Sequence, residues 1–278
     1  MSRNSTVRAA AVIAFLCLAG SAAAQAPAPA SPAPPPAGKD APWAITDNSF
    51  LVEEAFNQDP KVVQNIVEFI QQSGGGDWLM TFTQEWPAPG KRHQLSYTIT
   101  GASLGPHIGF SDVYLNYRYQ VLEEGPGRAA FSPRVSAIIR SGDHVLGSDH
   151  DGLQVNLPFS KQHGDFYLHG NGGFTWLPRG KSADLLSPTL AGSAIYRVRP
   201  MLNLMLESVL TFGADDTPDG NVGYTQSLTI SPGARGGWNV GEDTQIVVGA
   251  AMPITRTQGE TSIGVLGYFS CELPFRKK

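Results

Sequence analysis

The chain of 278 residues has few of the features that mark the commoner protein classes. It holds two cysteines, Cys17 and Cys271, and Cys17 lies in the N-terminal apolar stretch with no lipobox before it. If that stretch is removed, Cys271 stands alone and no intrachain disulfide can form. No apolar run outside the N-terminus reaches the roughly 20 residues that a spanning helix needs. Charged residues make up only 16% of the chain and the formal net charge is -4, so there is no basic face for nucleic acid. Gly101 to Gly105 spells Gly-x-Ser-x-Gly, but it closes an expected strand rather than forming the strand-to-helix turn of a nucleophile elbow. Of the six histidines, His107, His144, His150 and His163 fall in expected loops, while His93 and His169 fall in strands.

At the N-terminus, Arg3 and Arg8 precede an uncharged stretch from Ala9 to Leu18 and the small residues Ala19 to Ala24. This is the pattern of an export signal, with cleavage expected after Ala24, so residues 1–24 read as a signal peptide. Residues 25–42 are rich in Ala and Pro, and prolines without amide donors hold such a segment near polyproline II. It reads as a linker on the periplasmic side.

Period-two alternation dominates the remainder. Val113, Leu115, Tyr117, Tyr119 and Val121 interleave with Asp112, Tyr114, Asn116, Arg118 and Gln120, placing apolar groups on one face and mostly polar groups on the other. Leu153 to Ser160, Phe166 to Trp176 and Leu95 to Ile99 repeat the pattern. Mean hydropathy is -0.13. A membrane barrel tolerates that value because every second residue faces its lumen. Runs bounded by Gly, Pro, Asp and Asn begin near Trp78, Gln94, Ser111, Ala129, Leu153, Phe166, Thr189, Met201, Thr225, Gln245 and Ser262.

Short connections at Gly125 to Gly127, His163-Gly164, Arg199-Pro200 and Gly241 to Asp243 alternate with longer ones at 142–151, 179–186 and 213–221. Parity then requires one more strand before Trp78. Lys61 to Gln72 supplies it as Val63-Asn65-Val67-Phe69, although Val62, Val63, Ile66, Val67 and Ile70 also fit an amphipathic helix. The expected fold is an all-β, antiparallel, up-and-down transmembrane barrel of about twelve strands over 61–278, in the outer membrane of a Gram-negative cell. Aromatic residues at the ends of the apolar tracks, including Trp78, Trp86, Trp176 and Trp238, suit two interfacial girdles. The final strand ends at Phe275 with Arg276, Lys277 and Lys278 after it. Outer-membrane lipid and the barrel-assembly machinery are the partners this implies.

Residues 43–60 break the alternation. Phe50, Leu51, Val52, Ala55 and Phe56 cluster at helical spacing beside Glu53, Glu54 and Asn57, with Asn48 or Ser49 placed to cap. The expectation is a short N-terminal helix, with Phe50, Leu51 and Phe56 either plugging the lumen or packing under its rim.

The lumen-facing set expected from the alternation is Glu85, Asp112, Arg118, Arg134, Arg140, Arg197, Glu207, Arg235 and Glu272. Charges of both signs inside a barrel either line a selective passage or neutralise one another in a packed wall. An enzyme requires a nucleophile, base and orienting group in contact, and the sequence offers no such motif. No cofactor or metal is expected. Asp143, His144, Asp149, His150 and Asp151, or Asp215, Asp216 and Asp219, lack the spacing of an EF-hand or structural zinc site.

Several stretches carry a family resemblance: Ile45 to Gln58, Thr83 to Pro87, Gln94 to Tyr97, Asp112 to Tyr119 and Ser231 to Arg235. They resemble proteobacterial outer-membrane proteins related to the MetA pathway of phenol degradation, which are classed as transporters. The resemblance spans Ile45 to Phe275. It implies a channel or transporter for small solutes, aromatic or hydrophobic ones among them, with the solute itself unidentified. A non-conducting structural or partner-binding barrel is the alternative, and a lipid-modifying enzyme a more distant one.

Overall fold

A computed structural model describes residues 45–274 except 46, 61, 75, 89, 180–182, 218–219 and 241–243. The expected signal peptide, linker, Phe275 and basic tail lie outside the described residues.

Fifteen strands form one antiparallel sheet. In chain order they are β1 (Val62–Gln72), β2 (Trp78–Pro87), β3 (His93–Leu104), β4 (His107–Phe110), β5 (Val113–Tyr119), β6 (Ala130–Phe131), β7 (Arg134–Ile139) and β8 (Gly152–His163). There follow β9 (Phe166–Leu177), β10 (Leu185–Arg199), β11 (Leu202–Asp216), β12 (Val222–Val240), β13 (Thr244–Ala251), β14 (Ile254–Thr257) and β15 (Glu260–Pro274). β1 pairs with β15 from Val62↔Pro274 to Gln72↔Gly264, which closes the sheet and removes its edges.

The closed wall has 12 strands. β13 and β14 are two halves of one wall position, both pairing with β12 and β15 and separated at Met252-Pro253, where proline has no amide to give the ladder. β4 takes up the pairing of β3 at Gly101–Leu104, past the stretch that β5 pairs, and β6 is an outlying pair on β8. Tandem strands of 12 to 19 residues in β8 to β12 exceed the roughly 9–11 residues that a tilted strand needs to cross a membrane.

The faces separate as the alternation requires. Leu115, Tyr117, Phe159, Leu168, Leu204, Leu206, Val265 and Phe269 point outward and are exposed, while Asn116, Arg118, Ser160, His169, Asn203, Glu207, Leu266 and Ser270 point inward and are buried. Val62–Gln72 is a strand, not the competing helix: Gln64, Ile66, Glu68 and Ile70 face inward and Phe69 outward. Outer aromatics pair near strand ends, as in Phe69 on Trp78 at 6.1 Å and Phe166 with Tyr196 at 5.0 Å between ring centroids.

Both described termini of the wall, Val62 and Pro274, lie at one end, here called the terminal end. Connections there are short at 164–165 and 200–201. Loops at the other end include residues 140–151, although the hairpin there at Gln258-Gly259 is tight, with φ of 50° and 90° at its two central residues. Two expectations need correction. The connection around Gly125 is not short but runs over 120–133 and folds as a small hairpin through the Leu122↔Phe131 and Gly125↔Arg128 bridges. The strand expected from Ala129 is broken at Ser132-Pro133 into β6 and β7, because Pro133 interrupts the ladder.

A further correction concerns residues 43–60. Within the described part, Ile45 and 47–60, there is no helix; the chain is irregular with bends near Phe50, Leu51 and Val52. The helical spacing of its apolar groups is overridden because the wall, rather than its own backbone, satisfies its amides and carbonyls.

Candidate functional site

The N-terminal segment is buried along nearly its whole length. Ile45 and every residue from Asp47 to Gln58 are buried, including the acids Asp47, Glu53 and Glu54. It begins near the terminal end, where Ile45 N donates to Pro200 O at 3.2 Å. It then crosses the lumen from the β10–β12 wall to the β3–β8 wall and returns to enter β1. Side chains of the barrel, rather than a neighbouring strand, hold its backbone.

On the first wall, Arg235 Nη1 donates to Asp47 O at 2.5 Å and to Asn48 O, while its Nε donates to Asn203 Oδ1 at 3.0 Å. The Asp47 carboxylate accepts from Gln64 Nε2 at 2.6 Å, Tyr268 OH at 2.9 Å and Ser270 Oγ at 2.5 Å. Glu207 Oε1 accepts from the amides of Leu51 and Val52 at 2.8 and 3.1 Å. A buried carboxylate bonded to donors in this way ties three distant parts of the chain together.

Phe50 sits in a seat floored by glycine. A Cβ placed on Gly249 would lie 2.2 Å from Phe50 Cζ, and one on Gly233 3.2 Å from Phe50 Cε2. Tyr268 covers the ring at 4.9 Å between centroids. Only residues without side chains let the ring approach the β12–β13 wall this closely. Leu51 and Val52 join the same buried cluster as Ile66, Met205, Val209, Val247 and Leu266, whereas Phe56 packs in a separate one with Ala55 and Ala130.

On the second wall, Glu53 meets a cationic pair. Arg134 Nε donates to Glu53 Oε2 at 2.9 Å, Arg118 Nη1 stands 3.6 Å from Glu53 Oε1, and Asn156 Nδ2 donates to Oε2. Arg118 Nη1 also donates to Glu54 O at 3.0 Å. Asn171 clamps the Glu53 backbone from both sides, accepting from its N and donating to its O, each at 2.6 Å. Arg118 further lies 3.8 Å from Glu85, whose Oε2 accepts from Gln94 Nε2 at 2.9 Å.

Ser160, His169 and Glu54 also meet: Ser160 Oγ is 2.8 Å from His169 Nδ1, and His169 Nε2 is 3.5 Å from Glu54 Oε1. These are the residue types of a hydrolytic triad, but the hydroxyl accepts the Ala55 amide at 2.7 Å and is buried against the segment. The arrangement serves as a clamp on the backbone. At the mouth, burial pushes the Asp59 carboxyl up while Lys91, 3.7 Å away, pulls it down.

The lumen-facing charges expected from the alternation therefore divide. Glu85, Arg118, Arg134, Glu207 and Arg235 converge on the segment. Glu272 is half-buried at the terminal end of β15. Arg197 lies at the terminal rim on Asp165 at 2.7 Å, not inside the passage. Arg140 is exposed in the 140–151 loop, donating to Asp149 O at 3.0 Å. Asp112 belongs to that loop as well: it accepts from Ser141 N, Gly142 N, Ser148 N and Ser148 Oγ at 2.5 to 3.1 Å. Within the loop Asp143 Oδ1 accepts from the amides of Val145 and Leu146, each at 2.9 Å, and Leu146 is buried in the cluster that includes Ile70, Leu79 and Ala102.

Alternation does not reveal loop curvature, which is why Arg140 reads as a lumen residue, whereas Asp112 keeps the buried, inward parity of Asn116 and Arg118. Sequence reasoning also missed Asp47, Glu53 and Glu54 as partners for the wall, together with Asn156, Asn171 and Asn203. The available signal was a cluster of acids in an otherwise apolar stretch. Among the described residues, no group of three acid, histidine or cysteine side chains is placed to hold a metal.

No family model matches the sequence, and no curated protein matches it. Among solved structures, an outer membrane channel from Pseudomonas putida F1 superposes with a TM-score of 0.60 at 12% identity, over 79% of this chain and 98% of that one. The NanC porin gives 0.48 at 9% identity, covering 77% of this chain and 100% of that one. The CymD monoaromatic hydrocarbon channel gives 0.44 at 9% identity, covering 79% and 90%. At these identities the likeness is one of fold. The chain has the closed 12-strand antiparallel fold of outer-membrane β-barrels.

Proposed function

We propose that this barrel is a gated channel for small solutes and that the segment from Ile45 to Gln58 is its gate. The observation that carries the reading is how the segment is held. It lies buried in the terminal half of the lumen without joining the sheet, fastened by side chains whose bonds can be exchanged for water or solute one at a time. A strand of the wall cannot leave without opening the ladder, whereas this segment can. Phe50 in its glycine-floored seat beside Tyr268 supports the aromatic or hydrophobic solutes that the resemblance to the phenol-degradation group implies, since the seat would be open to a ring when Phe50 is withdrawn.

In this reading the terminal end faces the periplasm, following the habit of short periplasmic turns. Cysteine tags at Ser148 and Asp216 in a Cys271→Ser background should then react from outside intact cells and one at Gly125 should not. The reverse pattern overturns the orientation.

Deleting residues 41–59 tests the gate. The expected result is a higher single-channel conductance in planar bilayers from a barrel that still shows heat-modifiable migration. Unchanged conductance in the folded variant rejects the gate. It would favour a non-conducting barrel, a reading whose own support is the number of buried bonds on the segment. Such bonds suit a permanent filler as well as a gate.

A further inference from the structure

The seat that holds Glu53 offers more than Glu53 uses. Arg118 and Arg134 are 1% exposed and Asn156 is 6% exposed. Among the described residues, Arg118 Nε and Nη2 have no hydrogen-bond partner, with Glu85 standing off at 3.8 Å. A guanidinium is a planar fork of donors matched to the two oxygens of a carboxylate. Glu53 does not fill that fork: its Oε1 stands 3.6 Å from Arg118 Nη1, while Asn171 holds its main chain on both sides. A carboxylate that is not tethered has no such restriction.

Charge leads to the same point. When the segment leaves, Glu53 and Glu54 leave with it, and two neighbouring guanidiniums on β5 and β7 lose the acid that lies 2.9 Å from Arg134. Stranding buried charge is costly, so the open state is favoured by any anion that takes Glu53's place. A solute shifts a gate only by binding the open state better than the closed one. Here the closed state has the site already filled.

We infer that Arg118, Arg134 and Asn156 form a binding site for small carboxylate-bearing solutes, with Glu53 occupying it as a tethered stand-in that such solutes displace. The inference rests on the gate reading for its effect on conduction, but binding itself does not. Asn156 adds a neutral donor directed at the same oxygen that Arg134 bonds, a pattern suited to an oriented carboxylate rather than a spherical ion.

The test uses the full mature chain in planar bilayers, with sodium acetate and sodium benzoate compared with sodium chloride and sodium sulfate at equal ionic strength. Acetate and benzoate should raise open probability several-fold and saturably. Arg118→Gln should raise the half-saturating concentration at least tenfold. Glu53→Gln should open more often without any carboxylate and respond less to its addition. Equal responses to chloride or sulfate overturn the assignment to carboxylates, as does the absence of a saturable response in both the parent and a folded Glu53→Gln barrel.

Calorimetric titration of acetate into the folded variant lacking residues 41–59 separates this inference from the gate. Binding there that is lost in Arg118→Gln upholds the site even where deletion leaves conductance unchanged. Raised conductance without acetate binding upholds the gate and rejects the site.

Discussion

The two halves of the lumen are built differently. The terminal half carries Arg118, Arg134, Arg235, Glu85 and Glu207, and the N-terminal segment brings Asp47, Glu53 and Glu54 to them. The other half is walled by Thr81, Thr100, Ser187, Thr211, Ser227, Thr229, Thr255 and Thr257, with Glu68 among them, beneath the Leu146 turn. Charges appear where the N-terminal segment meets the wall with its own charges and amides. Hydroxyls, which can bond water or one another, occupy the wall elsewhere, as in Thr83 with Thr98 at 2.9 Å and Thr229 with Thr255 at 2.8 Å. The segment is thus held by interactions that are strong when complete and costly when half made.

The sharpest way to break that contrast is to remove one side of the buried pair. Arg134→Leu leaves Glu53 without the guanidinium 2.9 Å away, and breaking a buried pair costs about 3–5 kcal/mol. The segment should be expelled, so a cysteine at Ser49 in a Cys271→Ser background should be labelled in a barrel that remains heat-modifiable. A tag still protected would show that the charges do not hold the segment.

A smaller effect is expected at the Phe50 seat. Gly249→Val places a branched side chain where Phe50 Cζ now lies, and such overpacking costs typically about 1–3 kcal/mol. Labelling at Ser49 should rise, though less than in Arg134→Leu. No change would mean that the ring is readily accommodated elsewhere.

At the opposite end, Asp112→Ala deprives Ser141, Gly142 and Ser148 of their acceptor, at a cost of about 1–3 kcal/mol. Protease cleavage within 140–151 should accelerate while the labelling of Ser49 stays at the parent level. Acceleration of both would show that the two halves are coupled and that the contrast is false.

The smallest effect belongs to the hydroxyl wall. Thr211→Val removes a hydroxyl that has no hydrogen-bond partner among the described residues, and replacing such a group with an apolar one of the same shape is close to neutral or stabilising. Resistance to denaturation should be unchanged or slightly higher. A clear loss would reveal a polar role for this half that its static bonds do not suggest.

Much of the wall was legible in the residues themselves. Side chains on a strand alternate at a period of two whatever their surroundings, so Val113 to Tyr119, Phe166 to Trp176 and Ile263 to Leu273 declare their outward and inward faces without reference to any partner. Parity of connections then led to β1, and the inward placement of Arg118, Arg134, Glu207 and Arg235 followed. Where a proline cut the ladder, at Pro133 and Pro253, or where a strand gave way to a loop, at Arg140, the local pattern was no guide to position.

What the tertiary structure alone decided was the form and setting of Ile45 to Gln58. Its apolar spacing is compatible with a helix in isolation, and local sequence contains no information about amides on the far wall. Asn171, Ser160, Glu207 and Arg235 are more than 100 residues away in the chain, yet they take the backbone bonds that a helix would have made internally. Backbone groups buried in a lumen must be paired with something, and which partner wins depends on the closed barrel that surrounds them. The wall follows from a repeating local pattern. The segment inside it follows from closure, which no local pattern encodes.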